Sequence, residues 1–179
     1  MRLLRRRERI ITARRLAGAL LLAPALAPVA SAAPKRIPDD RRLWATVNVC
    51  DTERWPDTIG IRGSMPGSRN DRETMWMRFQ VQFLSDDDNK WHNVPEGGDS
   101  GFVPVGSARV KTRQAGRSFR ISPKRGETVL LRGKVSFEWR VKDVVTRTAV
   151  ERTLKGHRSS AGADPAGYTA ATCTITPDS

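Results

Sequence analysis

Trp76 to Leu84, W-M-R-F-Q-V-Q-F-L, is the stretch whose reading decides the fold. Met77, Phe79, Val81 and Phe83 fall on one side, and Trp76, Arg78, Gln80 and Gln82 on the other. A period of two is that of a half-buried β-strand. Lys134–Lys142, K-V-S-F-E-W-R-V-K, repeats it, with Val135, Phe137, Trp139 and Val141 inward and Lys134, Ser136, Glu138, Arg140 and Lys142 outward. Ser107–Arg113, S-A-R-V-K-T-R, alternates more weakly and predicts a strand whose outward stripe is Arg109, Lys111 and Arg113.

Turn-forming clusters separate these runs: S-M-P-G-S-R-N-D (64–71), S-D-D-D-N-K (85–90), V-P-E-G-G-D-S-G (94–101) and S-P-K-R-G-E (122–127). Lys142-Asp143 reads either as a tight turn or as a bend in one long strand. K-G-H-R-S-S-A-G-A-D-P-A-G (155–167) precedes a last strand, Tyr168 to Thr176. No stretch after residue 42 keeps a 3.6-residue apolar period. The pattern predicts an all-β domain, an antiparallel β-sandwich of immunoglobulin-like architecture with seven to nine strands. A jelly roll or closed barrel is the alternative.

The N-terminus reads differently. Arg2, Arg5, Arg6, Arg7, Arg9, Arg14 and Arg15 precede an apolar stretch, Leu16 to Ala30, that ends in Ala30-Ser31-Ala32. A basic start, a short apolar run and an A-x-A site describe a secretory signal peptide over residues 1–32. Pro24 and Pro28 interrupt the run, which is shorter than the roughly 20 residues of a membrane span. Residues 33–42 read as a flexible leader and 43–179 as the domain. Of 32 Lys+Arg and 19 Asp+Glu, residues 1–32 hold seven and one, so cleavage leaves a net charge of +7 instead of +13. That surplus favours anionic partners mildly.

Two cysteines, Cys50 and Cys173, sit in strand-like runs at opposite ends of the expected domain. In an oxidising compartment they are expected to bridge, joining the first strand to the last. Intermolecular pairing and a reactive thiol are the rivals, although neither cysteine has a second ligand at metal spacing.

The elements V-N-V-C-D-T (47–52), D-T-I-G-I-R-G-S-M-P-G (57–67), M-R-F-Q-V-Q-F (77–83), R-G-K-V-S-F-E-W-R (132–140) and G-A-D-P-A-G-Y-T-A-A-T-C (162–173) together resemble a group of small exported actinobacterial proteins. Ile121–Trp139 looks like the loop-then-strand passage of bacterial immunoglobulin-like modules. The resemblance implies the sandwich and export, and no activity.

Catalytic motifs fail on their particulars. G-G-D-S-G-F (97–102) is similar to the nucleophile loop of chymotrypsin-like proteases, but Phe102 replaces a required glycine and His92 and His157 give the wrong spacing. Asp86-Asp87-Asp88-Asn89 suggests calcium, but Lys90 and Trp91 stand where a ligand and the turn glycine belong. Glu53, Glu73, Glu96, Glu127, Glu138 and Glu151 cannot be paired from sequence into a glycosidase site. No catalytic residue, metal or cofactor is assigned.

Five tryptophans beside one tyrosine are the oddity. Trp139 reads as core. Trp55, in R-W-P-D, Trp76, on the polar side, and Trp91, beside a hairpin tip, form a candidate binding surface with Arg109, Lys111 and Arg113. The expected role is an exported, non-catalytic binding or structural protein, secreted or at the cell envelope. Its partner would be an anionic wall polymer, a carbohydrate or another envelope protein, and not nucleic acid. A small secreted hydrolase is the alternative.

Overall fold

The structure, a computed structural model, describes residues 35–36 by their backbone and residues 40–176 in full, all within one compact unit, Ala33–Ser179. The expected signal peptide lies outside the described residues. Among the described residues there is no helix, hence none long and apolar enough to cross a membrane.

Among the described residues ten strands form: β1 Lys35–Arg36, β2 Trp44–Thr52, β3 Trp55–Pro66, β4 Glu73–Leu84, β5 Trp91–Asn93, β6 Asp99–Ser107, β7 Thr112–Arg120, β8 Val129–Val141, β9 Val144–Arg152 and β10 Thr172–Ile175. Nine exceed two residues, within the expected range. They make two sheets. Sheet A has the long strands β4 and β8 at its centre, antiparallel from Glu73↔Val141 to Phe83↔Leu131. Shorter strands share their outer edges end to end: β6 and β5 along β4, β9 and β10 along β8. Sheet B is β2-β3-β7, antiparallel throughout. Within the expected leader, Lys35–Arg36 pairs in parallel with β9 at Arg147–Thr148, and Asp40 accepts hydrogen bonds from Arg42.

The core lies between the sheets, and its members are those the alternation puts inward. Met75, Met77, Phe79 and Val81 of β4 and Leu131, Val135, Phe137 and Trp139 of β8 are buried from sheet A. Val47, Ile59, Ile61, Met65 and Phe119 meet them from sheet B. Phe83 and Val141, near the strand ends, are half-buried. Trp139 spends its indole N–H on the Pro66 carbonyl at 3.0 Å, so this large side chain buries no unmet donor. Gly133 is the close-packing point, where a Cβ would stand 2.7 Å from Thr153 and 2.9 Å from Ile61 of the facing sheet. The Thr153 hydroxyl accepts from Gly133 N–H at 3.0 Å and closes the gap between β10 and β9.

Among the described residues one carboxylate enters this interior. Glu73 is buried and accepts hydrogen bonds from Thr146, at 2.6 Å, and from Arg147. Burial alone would raise its pKa. Bonds from Ser68, Thr146 and Arg147 outweigh that and hold it below the usual carboxylate range.

The disulfide forms as expected: Cys50 of β2 and Cys173 of β10 are joined, with Cα atoms 5.4 Å apart. Because β2 is in sheet B and β10 in sheet A, the bridge ties one layer to the other. Lys142-Asp143 is a two-residue turn with Val141↔Val144 paired across it and Lys142 at φ 55°.

The weak alternation of Ser107–Arg113 is not a strand. Ser107 ends β6, Thr112 begins β7, and the residues between them turn. Main-chain bonds fix that turn: Ala108 N–H to the Glu73 carbonyl at 2.8 Å, Arg69 N–H to the Ala108 carbonyl at 2.9 Å, and Gly67 N–H to the Lys111 carbonyl at 3.0 Å. They bury Ala108 without any strand period. The last strand is likewise shorter than expected, because Ala170 bridges Val47 on the edge of sheet B and only Thr172–Ile175 joins β8.

Candidate functional site

Each sheet has an outer face. On sheet B, Thr46 and Asn48 of β2, Arg62 and Ser64 of β3 and Gln114 of β7 point away from the core by parity with Val47, Ile61 and Ala115. The segment 154–171 folds across them. Asn48 Nδ2 donates to the carbonyls of Ala161 at 3.2 Å and Gly162 at 2.9 Å. Gln114 accepts from Ala161 N–H at 3.0 Å, and Thr46 meets Thr169 at 2.7 Å. Thr46, Asn48 and Ser64 are therefore buried although they face outward. Burial also pushes Arg62 below the ordinary arginine value.

At the end of this face that carries the β2–β3 hairpin, a groove of about 380 Å³ is open, lined by Arg54, Trp55, Pro56, Thr58, Ser118 and Arg120. Trp55 opens β3, not a loop as its sequence context suggests, and is 44% exposed. The Arg54 guanidinium lies 5.7 Å from its ring centroid. Thr58 and Arg120 are directly paired, which sets hydroxyl and guanidinium side by side on one face.

The hairpin is braced. Trp55 N–H donates to Thr52 Oγ1 at 3.2 Å, and that hydroxyl donates to Asp164 at 2.8 Å. Asp57 N–H donates to Asp51 at 2.8 Å, and Ile121 N–H to the Asp57 carbonyl at 2.8 Å. Asp51 and Asp57 take the left-handed backbone, φ 44° and 54°, which aspartate tolerates better than most residues.

Sheet A's outer face is built from side chains. Trp76 is half-buried, its Nε1 donating to Thr74 at 3.0 Å, and the Arg140 guanidinium covers it at 4.3 Å from the ring centroid. Arg140 also lies 5.1 Å from the Phe102 ring and donates to Glu138 at 2.7 Å. Arg78 grips Asp99 through Nε at 2.9 and 3.0 Å. Arg78 holds that carboxyl below the usual range, against partial burial, with help from Gly101 N–H and Gln80. Trp91, opposite Leu84, has Arg132 at 4.2 Å over its ring. Arg132 Nε donates to Gln82 at 2.9 Å, and Gln82 donates to Asn93 at 3.0 Å.

The expected surface is thus divided. Trp55 is on sheet B, whereas Trp76 and Trp91 are on the outer face of sheet A under guanidinium groups. Arg109 and Lys111 are on the turn after β6. Arg113, on β7, is paired with Met65 of the inward set and lies by Gly106. Arg109, Lys111 and Arg113 therefore make no stripe on one strand, because the main-chain clamp of the turn replaces the pleat that would have aligned them. Sequence reasoning missed Arg54, Thr58, Ser118 and Arg120 of the groove. The signal lay in R-S-F-R (117–120), where buried Phe119 fixes Ser118 and Arg120 outward.

The residues singled out for chemistry are placed as follows. Ser100 Oγ accepts from Phe79 N–H at 2.9 Å and donates to its neighbour's carbonyl at 2.7 Å, which makes it a strand-edge clasp. His92 meets Asp88 at 3.0 Å across a hairpin tip. His157 stacks on Trp44, with centroids 4.4 Å apart, in a hollow of about 330 Å³ that Asp40 and Glu151 also line, and burial lowers its pKa. Among the described residues no group of three or more His, Cys, Asp or Glu is placed to hold a metal ion. No protein-family model matches this chain, and no curated protein matches it.

Proposed function

We propose that the protein is an exported, non-catalytic binding domain whose ligand site is the Trp55 groove, and that the ligand is an acidic sugar unit of a cell-envelope polymer. The observation that carries the reading is the open face of Trp55 in a braced groove with two arginines and the exposed Ser118 hydroxyl. An indole stacks on the apolar face of a sugar ring, arginines pair with its acid group, and a serine hydroxyl bonds one of its own hydroxyls. The arginine-rich N-terminus with its A-x-A site and the Cys50–Cys173 bridge support export, since disulfides persist in oxidising compartments.

The test is equilibrium binding of polygalacturonate, followed by tryptophan fluorescence, for the mature protein and its Trp55→Ala and Arg120→Ala variants. Loss of a central aromatic anchor typically removes 2 kcal/mol or more, about thirtyfold in affinity. No quenching by the polymer at low salt, or equal affinity in Trp55→Ala, would refute the site.

A second reading, a small hydrolase, draws on the hollow where Asp40, Glu151 and His157 meet. Asp40 there is held ionised by Arg42, 2.6 Å away, which suits a base and not an acid. Turnover of a glycoside or ester that His157→Gln abolishes would favour this reading over the binding one.

A further inference from the structure

The open face of sheet A has two ends, and their charges are handled differently. At one end each arginine has an acid: Arg78 has Asp99, and Arg140 has Glu138. At the other end Arg132 and Lys134 of β8 and Arg152 of β9 point outward, by parity with the buried Leu131 and Val135. Lys134 and Arg152 are directly paired across the strands, which puts their Cβ atoms about 5 Å apart. Arg132, two residues from Lys134, is about 7 Å along the strand. Among the described residues no carboxylate forms an ion pair with any of the three.

The crowding has a cost. The pKa of Arg132 is lowered, first by burial and then by repulsion from Arg152. Arg132 is also held still. Its Nε is engaged by Gln82 and its plane rests on Trp91, and its terminal amino groups have no hydrogen-bond partner among the described residues. Three like charges in close register, one of them fixed, oppose folding unless an anion sits among them.

We propose that Arg132, Lys134 and Arg152 form a second site, independent of the Trp55 groove, that takes a linear polymer carrying phosphodiester or phosphate groups. A phosphate offers several acceptor oxygens and can bridge two or three cations at once, whereas a carboxylate is satisfied by a single guanidinium fork. A lipid surface is the poorer occupant. Trp91 is capped by Arg132, and the exposed large apolar side chains within two residues of Arg152 are Val150 and Leu154, two aliphatic groups without an aromatic anchor for a bilayer. The capped indole also offers no free ring for base stacking, which argues against a single-stranded nucleic acid. The two sites lie on opposite outer faces, so one molecule can hold two polymer strands.

The experiment measures binding of linear polyphosphate to the mature protein at salt concentrations from about 50 to 200 mM, with inorganic phosphate, anionic phospholipid vesicles and single-stranded DNA as further arms. The variants are Lys134→Gln/Arg152→Gln and Trp55→Ala. Tight polyphosphate binding is expected, weakened about tenfold or more in the double variant with the salt slope reduced by about 2, and unchanged in Trp55→Ala. Thermal melting gives an independent readout. The double variant is expected to melt higher than the parent without ligand, and polyphosphate to raise the melting temperature of the parent alone. Equal binding by the double variant, no binding near 50 mM salt, or preference for vesicles or DNA over polyphosphate would overturn the proposal. Loss of binding in Trp55→Ala would instead assign the polymer to the other face.

Discussion

On sheet B, backbone finishes the outer face: segment 154–171 crosses it, and Asn48, Gln114 and Thr46 are the posts to which it is bonded. On sheet A, side chains alone finish it: guanidinium groups lie over Trp76, Phe102 and Trp91 and are held by Glu138, Asp99 and Gln82. Both devices dry the outside of a thin sandwich. They differ in what they leave accessible. A bonded segment buries polar groups for good, and Thr46, Asn48 and Ser64 are lost to any ligand. A layer of stacked arginines keeps its donors at the surface. The same difference explains why sheet B offers a ligand only the uncovered end near Trp55, while sheet A offers its whole face.

The largest way to break this comparison is to cut the tether of the covering segment. Cys173 lies just beyond it and fixes its end to β2. The Cys50→Ala/Cys173→Ala protein is expected to lose about 5 kcal/mol by the chain-entropy account of so long a loop, measured as the shift of the urea midpoint against the parent. A loss under about 1 kcal/mol would mean that strand pairing alone sets the layers. Next is the cover itself. Asn48→Ala strands the Ala161 and Gly162 carbonyls and is expected to cost about 2 kcal/mol and to speed proteolytic cutting within 154–171. Unchanged cutting would show that the segment is held by its ends.

Much of this was legible beforehand, for a physical reason. β4 and β8 alternate strictly because each buries one face on the core, and the inward sets read from sequence are buried except for Phe83 and Val141 near the strand ends, which are half-buried. The bridge was legible because two cysteines in strand-like runs leave few partners. The polar sides were read less well. Gln80 and Gln82 face outward yet are buried, because Asp99, Asn93 and Arg132 arrive from other strands to complete them. The alternation of 107–113 was a coincidence of composition on a turn fixed by main-chain bonds. Of the Trp55 groove, Trp55 and the outward parity of Ser118 and Arg120 were legible, but not their meeting with Thr58, which depends on the β3–β7 register.

The smallest test sharpens the comparison from the side of sheet A. If the arginine layer works by stacking, Arg140 and Trp76 should be energetically coupled. A double-mutant cycle of Arg140→Ala and Trp76→Leu, read by urea titration, is expected to give about 1 kcal/mol, as for a partly desolvated cation–π pair. The ion pair with Glu138 is lost in both branches that remove Arg140 and so cancels from the coupling. A coupling near zero would mean that Arg140 rests on Trp76 only because Glu138 places it there. The outer face of sheet A would then be dried by its ion pairs, and its tryptophans would be free to serve a ligand once the arginine swings aside.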